Sequence, residues 1–229
     1  MKPYIILLLF LPVCVSAQKK QIIEASSGED LSKKVAAQMQ YLFHEFTNGD
    51  VYYKGNKGSG KLNYNMLLGE MQFVENNQIQ ALDNVKDVIV VIIDNRRFYP
   101  INDKEFAETL LTTNKYQLRV KRKGNVASHG KKGAYGTWSS TSSITSYTSI
   151  NSDSRTYDLS VHEEVLITLN CFYYLVDSNG KYIQIRNIKA FTKQFPAYRT
   201  QIEGFVKEHN TRFDHVDDLK ALLEYCSTL

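Results

Sequence analysis

The stretch Leu62–Val74, LNYNMLLGEMQFV, has the densest β-forming alternation in the first half of the chain. Asn63, Asn65 and Gly69 stand where a turn would have to lie, because Asn and Gly tolerate turn conformations. Strand patterns also precede and follow the stretch, at Asp50–Lys54 and Ile79–Leu82. The stretch therefore predicts the central strands of a β-meander, and no catalytic group stands out within it.

Further short β-forming segments with Asn- or Gly-containing joints follow along the chain. The predicted strands are Asp50–Lys54, Lys61–Tyr64, Glu70–Glu75, Gln78–Leu82, Asp87–Ile93, Arg96–Tyr99, Glu105–Leu111, Tyr116–Lys123, Val161–Val176 and Lys181–Ile185. Asn76-Asn77 is predicted to be a two-residue hairpin turn because Asn tolerates the positive φ that such turns require. Asp87–Ile93 is continuously apolar, which predicts a strand buried on both faces.

Helical periodicity is confined to the two ends of the mature chain. Near the N-terminus it predicts a helix from Gly28 to Tyr41, after which the chain is either helical or extended to Phe46. Three apolar stripes predict C-terminal helices at Ile188–Phe195, at Tyr198–His209 and after Asp214 as N-cap. The N-terminal helix and the C-terminal faces are expected to pack on the sheet.

The first residues have the three parts of a secretory signal peptide. Lys2 provides the positive charge, Tyr4–Val15 the apolar core, and Val15-Ser16-Ala17 the small residues at a cleavage site. The apolar run is shorter than the roughly 20 residues that span a bilayer, so we expect export rather than a membrane anchor. Lipidation at Cys14 is an alternative, although the preceding Leu11-Pro12-Val13 lacks the small residues that precede lipidated cysteines.

The length and composition predict a globular chain with a sizeable core. It has 229 residues, 43% hydrophobic residues, 15 tyrosines and 4 prolines, which favours β-structure over disorder. The formal net charge of +4 is mild and does not by itself indicate a nucleic-acid partner. No segment after the leader is long and apolar enough to span a membrane.

Two cysteines remain after the leader, Cys171 and Cys226. Export permits a disulfide between them. The alternative, which the apolar setting of both favours slightly, is two small buried residues. Neither is expected to be a nucleophile, since neither lies in a polar or glycine-rich segment.

The segments that superficially match catalytic or metal motifs all fail on context. Gly55–Lys61 reads GNKGSGK, but Leu62 replaces the Ser or Thr of a phosphate-binding loop and strands are predicted on both sides. The five histidines lack metal-site spacing, and no Gly-x-Ser-x-Gly elbow occurs. The sequence therefore predicts no metal, no cofactor and no catalytic residue, although a triad from Ser, His129 or His162 and Asp stays open.

The segment Gly124–Asp158 is rich in Gly, Ser, Thr and Tyr and is too long for an ordinary connection, so we expect a functional loop or a disordered flap. A cluster of cations leads into it, with Arg119, Lys121 and Lys123 on one strand face and Arg122 on the other. The candidate binding residues are these cations with aromatic and basic residues of the loop, namely Arg119, Lys121, Lys123, Lys131, Lys132, Tyr135, Trp138 and Tyr147. The alternative is a solvated strand edge that lysines protect from aggregation.

Several motifs resemble those of a family of small exported proteins of unknown function from Bacteroidetes-type bacteria. The motifs are Tyr41-Leu42-Phe43 with Glu45-Phe46, Leu62-Asn63-Tyr64-Asn65 with Glu70-Met71-Gln72-Phe73, Arg97-Phe98-Tyr99, Ala134-Tyr135-Gly136 with Thr141-Ser142, Ser146-Tyr147, and Phe205-Val206-Lys207-Glu208-His209. The resemblance covers most of the mature chain and implies export and a β-rich core with a helical C-terminus. It implies no activity. His44 departs from the proline expected in the family.

Together these observations predict an α+β protein, mainly an antiparallel β meander of sandwich, roll or barrel type. Residues 1–17 are the leader, 18–187 the β-rich domain with its N-terminal helix, and 188–229 a helical segment packed on it. The expected function is a periplasmic, surface or secreted binding protein for an anionic glycan, a lipid headgroup or an envelope protein, with export arguing against nucleic acid. The alternatives are a hydrolase that uses the 124–158 loop as a lid, and an assembly protein that pairs through its sheet edges.

Overall fold

The computed structural model describes residues 20–25, 34–128, 131–132, 138–139, 148–149 and 163–229. The predicted leader and most of the 124–158 loop lie outside these residues. The strands are β1 (Lys20–Ala25), β2 (Thr47–Tyr53), β3 (Lys57–Asn65), β4 (Glu70–Glu75), β5 (Gln78–Ala81), β6 (Val88–Ile93), β7 (Arg96–Pro100), β8 (Phe106–Thr112), β9 (Tyr116–Ser128), β10 (Lys131–Lys132), β11 (Trp138–Ser139), β12 (Thr148–Ser149), β13 (Glu163–Asp177) and β14 (Tyr182–Gln184). The helices are α1 (Ala37–Gln40), α2 (Ile188–Thr192), α3 (Arg199–Glu208) and α4 (Val216–Ser227), with 3₁₀ turns at Val85–Asp87 and Pro196–Tyr198.

All strands except β10 and β11, which pair with each other, form one open antiparallel sheet, so the predicted α+β, β-rich class is confirmed. The strand order is β1-β13-β9-β8-β7-β6-β2-β3-β4-β5, with β12 paired to β9 and β14 to β13. The strands β2–β5 and β6–β9 each form a meander of sequential hairpins, and β2 pairs with β6 to join them. The sheet edges are β1 and β5.

The β3–β4 hairpin is the centre of the fold, as the sequence predicts, and every residue from Leu62 to Gln72 is buried. Its turn contacts the opposite half of the sheet: Phe106 N donates to Gly69 O at 2.8 Å and Gly124 N to Leu67 O at 2.8 Å. These bonds require the sheet to curl, because β3 is separated from β8 and β9 by the intervening strands. Gly69 has φ +74°, and a Cβ there would lie 3.1 Å from the carbonyl oxygen of Arg122. Only glycine fits this turn without strain.

Polar side chains buried in the hairpin are paired with the backbone and with each other. Asn63 Nδ2 donates to Phe43 O at 2.9 Å, and Phe43 N donates back to Asn63 Oδ1 at 3.1 Å. Asn65 Oδ1 accepts from Leu67 N and Leu68 N, both at 3.1 Å, which shapes the turn. The Asn side chains therefore attach the preceding segment and close the hairpin.

Two hydrophobic cores lie on the inner face of the sheet. The first core surrounds the β3–β4 hairpin and includes Tyr64, Met71, Phe98, Phe106 and Ile167. The second core joins the C-terminal helices to β9 and β13, through residues that include Leu118, Leu175, Phe191, Ile202 and Leu222. The C-terminal helices thus pack on the sheet.

Several predicted boundaries are wrong for physical reasons. Of the helix predicted from Gly28 to Tyr41, the described residues contain only α1, because Ala36, with ψ 136°, is not helical and its N–H instead donates to Gln21 Oε1 on β1 at 3.0 Å. The strand β9 continues past Gly124, where the predicted loop begins, to Ser128, because β13 pairs with it up to that residue. The segment at β6 is not buried on both faces, since Ile89 is the extra, unpaired residue of a bulge in β6 and is 52% exposed.

The start of α4 also differs from the prediction. The N-cap is His215 rather than Asp214, and it makes no side-chain cap bond. Asp218 instead accepts from Arg212 N at 2.9 Å and lies 2.9 Å from His215 Nδ1. Asp218 therefore orders the turn that precedes α4.

Candidate functional site

The cations of β9 lie on the outer face of the sheet, as the alternation predicts. Tyr116, Leu118 and Val120 point inward to the second core, so Arg119, Lys121 and Lys123 point to the opposite side. Across the ladder, Arg119 faces Tyr174, Lys121 faces Phe172 and Lys123 faces Asn170 on β13. We call the surface formed by Arg119, Lys121, Lys123, Tyr99, Phe172, Tyr174 and Tyr182 the cationic face.

Arg119 is buried, with 8% of its surface exposed, and neutral groups hold it. Its Nε and one terminal nitrogen donate to Gln117 Oε1, at 3.1 and 2.6 Å, and the other terminal nitrogen donates to the Tyr182 hydroxyl. The guanidinium carbon lies 3.8 Å from the centroid of the Tyr99 ring. Within the described ranges, no carboxylate forms an ion pair with Arg119.

The tyrosine rings around Arg119 are partly buried and in contact. The Tyr174 and Tyr182 rings meet edge to face at 5.7 Å between centroids. Burial raises the pKa of the Tyr182 phenol, and the nearby Arg119 guanidinium opposes part of that rise. Both rings therefore remain neutral near pH 7 and present aromatic surface beside a positive charge.

Lys121 and Lys123 are not solvated, and this corrects the expectation of a freely exposed basic strip. Lys121 Nζ lies 3.1 Å from Glu105 Oε2 and Lys123 Nζ lies 2.5 Å from Glu105 Oε1, with all three side chains less than 20% exposed. Burial raises the pKa of Glu105, but the two lysines and Asn102 outweigh it and hold that pKa below its usual 4.5. Lys121 Nζ also lies 5.4 Å from the Phe172 ring centroid.

The cationic face still has an excess of positive charge among the described residues. It contains three cations, Arg119, Lys121 and Lys123, and Glu105 is the carboxylate that pairs with two of them. These contacts set three positive charges against one negative charge. The excess is unopposed mainly at Arg119, where the partners are neutral.

The remaining predicted binding residues are only partly described. Lys131 pairs with Ser139 and Lys132 with Trp138 in the short β10–β11 ladder, where the backbone alone is described. Tyr135 and Tyr147 lie outside the described residues. The structure therefore brings Arg119, Lys121 and Lys123 together, and the side chains of the other five candidates lie outside what it describes.

Sequence reasoning missed the partners that the sheet supplies from other strands. Tyr99 on β7, Glu105 before β8 and Tyr182 on β14 all contact the β9 cations. Arg122, on the inner face, pairs with Glu108 at 2.6 Å, and Glu108 also binds Arg96 Nε at 2.5 Å. Local alternation cannot identify these residues, since their contacts depend on which strands are neighbours.

The other candidate chemistries have little geometric support in the described residues. The GNKGSGK segment forms the β2–β3 turn and the start of β3, without a following helix. No group of three or more His, Cys, Asp or Glu side chains in the described ranges could hold a metal ion. No helix within those ranges is both long and apolar enough to cross a membrane.

Both cysteines are thiols in the structure. Cys171 on β13 is exposed, which corrects the expectation that it is buried, and Cys226 on α4 is buried in the second core as expected. Cys171 lies opposite Arg122 in the β9–β13 ladder.

Comparison of the chain with protein-family models, with curated proteins and with solved structures gives no match. The site is therefore interpreted from its own geometry.

Proposed function

We propose that this protein is an exported, non-enzymatic binding protein of the cell envelope, and that the cationic face binds an acidic glycan. Export rests on the signal-peptide pattern of residues 1–17 and is implied by the family resemblance. The observation that supports the ligand class is Arg119, whose charge meets only Gln117, Tyr182 and the Tyr99 ring among the described residues.

An arginine held in this way is suited to a carboxylate or sulfate group. A guanidinium has five N–H groups in a planar fork, and three are engaged here by neutral acceptors, which leaves two for an anion. The contacts with Gln117, Tyr99 and Tyr182 fix the side chain, so little rotamer entropy is lost on binding. The aromatic rings beside it offer flat surface for the apolar side of a sugar ring.

A glycan fits this face better than a membrane surface does. Membrane-binding surfaces combine cations with exposed apolar side chains that insert between lipids. The large hydrophobic side chains exposed in the described residues are Ile22, Ile79, Ile89 and Leu229, and they lie on β1, β5, β6 and the C-terminus. None belongs to the cationic face.

The proposal is tested by isothermal titration of a chain starting at Gln18. The probes are a sulfated hexasaccharide, an oligogalacturonate, a neutral cello-oligosaccharide and vesicles of phosphatidylglycerol, each at two salt concentrations. We expect an acidic oligosaccharide to bind with an affinity that falls with salt, because screening weakens attraction between exposed charges.

Three variants locate the site. Arg119→Gln should weaken binding about tenfold, since a hydrogen bond to a charged group contributes about 1.5 kcal/mol. Arg199→Gln, the same substitution on the exposed surface of α3, is the control and should leave affinity unchanged. Glu105→Gln should strengthen binding about threefold, because a carboxylate roughly 7 Å from a bound anion would repel it by about 0.6 kcal/mol at the dielectric constant of water.

The increase with Glu105→Gln matters because simple destabilisation of the fold cannot produce it. The proposal is rejected if no acidic oligosaccharide binds, if only the vesicles bind, or if Arg119→Gln and Arg199→Gln have equal effects.

A further inference from the structure

The edge strand β5 carries backbone groups that pair with nothing in the sheet. Leu82 N donates to Met71 O at 2.9 Å, and Gln72 faces Ala81 in the ladder. Because hydrogen-bonded and non-hydrogen-bonded pairs alternate in an antiparallel ladder, Gln80 and Gln78 bond to β4. The N–H and C=O groups of Ile79 and Ala81 therefore point away from the sheet.

No described residue covers this edge, and its side chains are uncharged. Gln78, Ile79 and Gln80 are all exposed, Ile79 at 48%. The run from Asn76 to Leu82, NNQIQAL, holds no charged residue, whereas 23% of the whole chain is charged. Proteins protect sheet edges with lysine, proline, bulges or short strands, and of these β5 has only its shortness. An exposed edge of this composition is a template for another strand.

We propose that β5 pairs antiparallel with β5 of a second copy of this chain, which joins the two sheets across a two-fold axis at Gln80. In this register Ile79 of each copy lies opposite Ala81 of the other. The outward backbone groups of these residues then form four hydrogen bonds, because both members of each pair present an N–H and a C=O.

The side chains in this register are self-complementary. The Gln80 side chains meet on one face, at a pair whose Cα atoms lie about 4.5 Å apart, and each amide both donates and accepts. Ile79 meets the Ala81 methyl on the other face. Asp83, the nearest charge C-terminal to the strand, is six residues from its symmetry mate, which is about 20 Å at strand spacing and beyond the Debye length.

A second copy is favoured over an unrelated strand because the strand matches itself in charge, hydrogen-bonding groups and register. The pairing is independent of the glycan proposal, since β5 and the cationic face are at different places in the sheet. Edge pairing of four residues buries much less surface than a standard interface, so the dimer should be weak and form only at high protein concentration.

Sedimentation velocity of the chain starting at Gln18, over a concentration series up to about 1 mM, tests the pairing. We expect a monomer–dimer equilibrium that Ile79→Lys shifts fully to monomer, because a lysine at the edge opposes strand addition. Ile89→Lys is the matched control, since Ile89 is equally exposed at 52% but lies on the internal strand β6, and it should leave the equilibrium unchanged.

Amide hydrogen exchange identifies the contact directly. The Ile79 and Ala81 amides should exchange fast in dilute protein and become protected as concentration rises, whereas the Gln80 amide, bonded to β4, should be protected throughout. A chain that stays monomeric at the highest concentration overturns the proposal. So does a dimer that Ile79→Lys leaves intact, or one that forms without protection at Ile79 and Ala81.

Discussion

The substitution Gly69→Ala tests whether docking of the β3–β4 turn holds the curled sheet together. Gly69 has φ +74°, and a left-handed conformation costs a non-glycine residue about 1–2 kcal/mol. The new Cβ would also lie 3.1 Å from Arg122 O, which belongs to backbone that pairs with Cys171 on β13. Overpacking of this kind costs about 1–3 kcal/mol, so we expect Gly69→Ala to lower the free energy of unfolding by about 3 kcal/mol in total.

Gly180→Ala is the matched control for this prediction. Gly180 has φ +77° but no atom within 4 Å of the position of a Cβ, so an alanine there should lower the stability only through its left-handed conformation. Both variants reduce the entropy of the unfolded chain equally, so this contribution cancels in the comparison. Urea unfolding followed by circular dichroism measures both free energies of unfolding. Losses that agree within about 0.5 kcal/mol would refute the idea that the turn is tightly docked.

Three further predictions concern single side chains. Tyr64→Phe removes a buried hydroxyl that donates to Phe106 O at 3.0 Å and accepts from Arg122 N at 3.3 Å. Urea unfolding should show that the free energy of unfolding falls by about 2 kcal/mol. Tyr53→Phe is the control and should change it by almost nothing, because the Tyr53 hydroxyl makes no hydrogen bond in the described chain. Glu105 has a lowered pKa in the folded protein, so the unfolded state binds more protons at pH values between the folded and the unfolded pKa. Its contribution to the free energy of unfolding should be complete above about pH 4.5 and lost as pH falls through the folded pKa. Glu105→Gln should therefore reduce the slope of the free energy of unfolding against pH below about pH 4.5. An unchanged slope would contradict the ion pairs of Glu105. Burial raises the pKa of the Cys226 thiol to about 12, so a thiol-reactive disulfide reagent should modify exposed Cys171 at once and Cys226 only after unfolding. Cys171→Ala should abolish the fast reaction. Fast modification of both thiols would contradict the burial of Cys226.

Hairpins were the part of the fold that the sequence could predict. Asn76 and Asn77 have φ 50° and 61°, and Asp94 and Asn95 have 47° and 62°, as their turns require. The turns between neighbouring strands depend on which residues tolerate a positive φ, so the local sequence identifies them. The burial of the whole Leu62–Gln72 stretch follows from its position between the two halves of the curled sheet.

Contacts between distant segments were beyond sequence reasoning. Nothing in the local pattern states that β2 pairs with β6, or that β1 pairs with β13 at the far edge. The N-terminal helix was overestimated for the same reason, since Ala36 is not helical and its N–H donates to Gln21 Oε1 on β1. Tertiary pairing overrides helical periodicity at that position.

The candidate site illustrates the same limit. Alternation along β9 correctly placed Arg119, Lys121 and Lys123 on one face. The segment from Lys115 to Lys132 contains no acidic residue, which predicted a free basic strip. Glu105, from the neighbouring strand connection, pairs with two of the three cations and leaves the excess charge mainly at Arg119. The positive charge of the cationic face was predictable from the sequence, but its partial neutralisation by Glu105 was not.

The most direct test of the proposed glycan site is nuclear magnetic resonance of the arginine side-chain Nε–H groups during titration with an acidic oligosaccharide. The account predicts that the Arg119 signal shifts with ligand concentration. The signals of Arg96 and Arg122, which bind Glu108 on the inner face, should stay in place. Binding that leaves the Arg119 signal unchanged, or that moves all three signals alike, would contradict it.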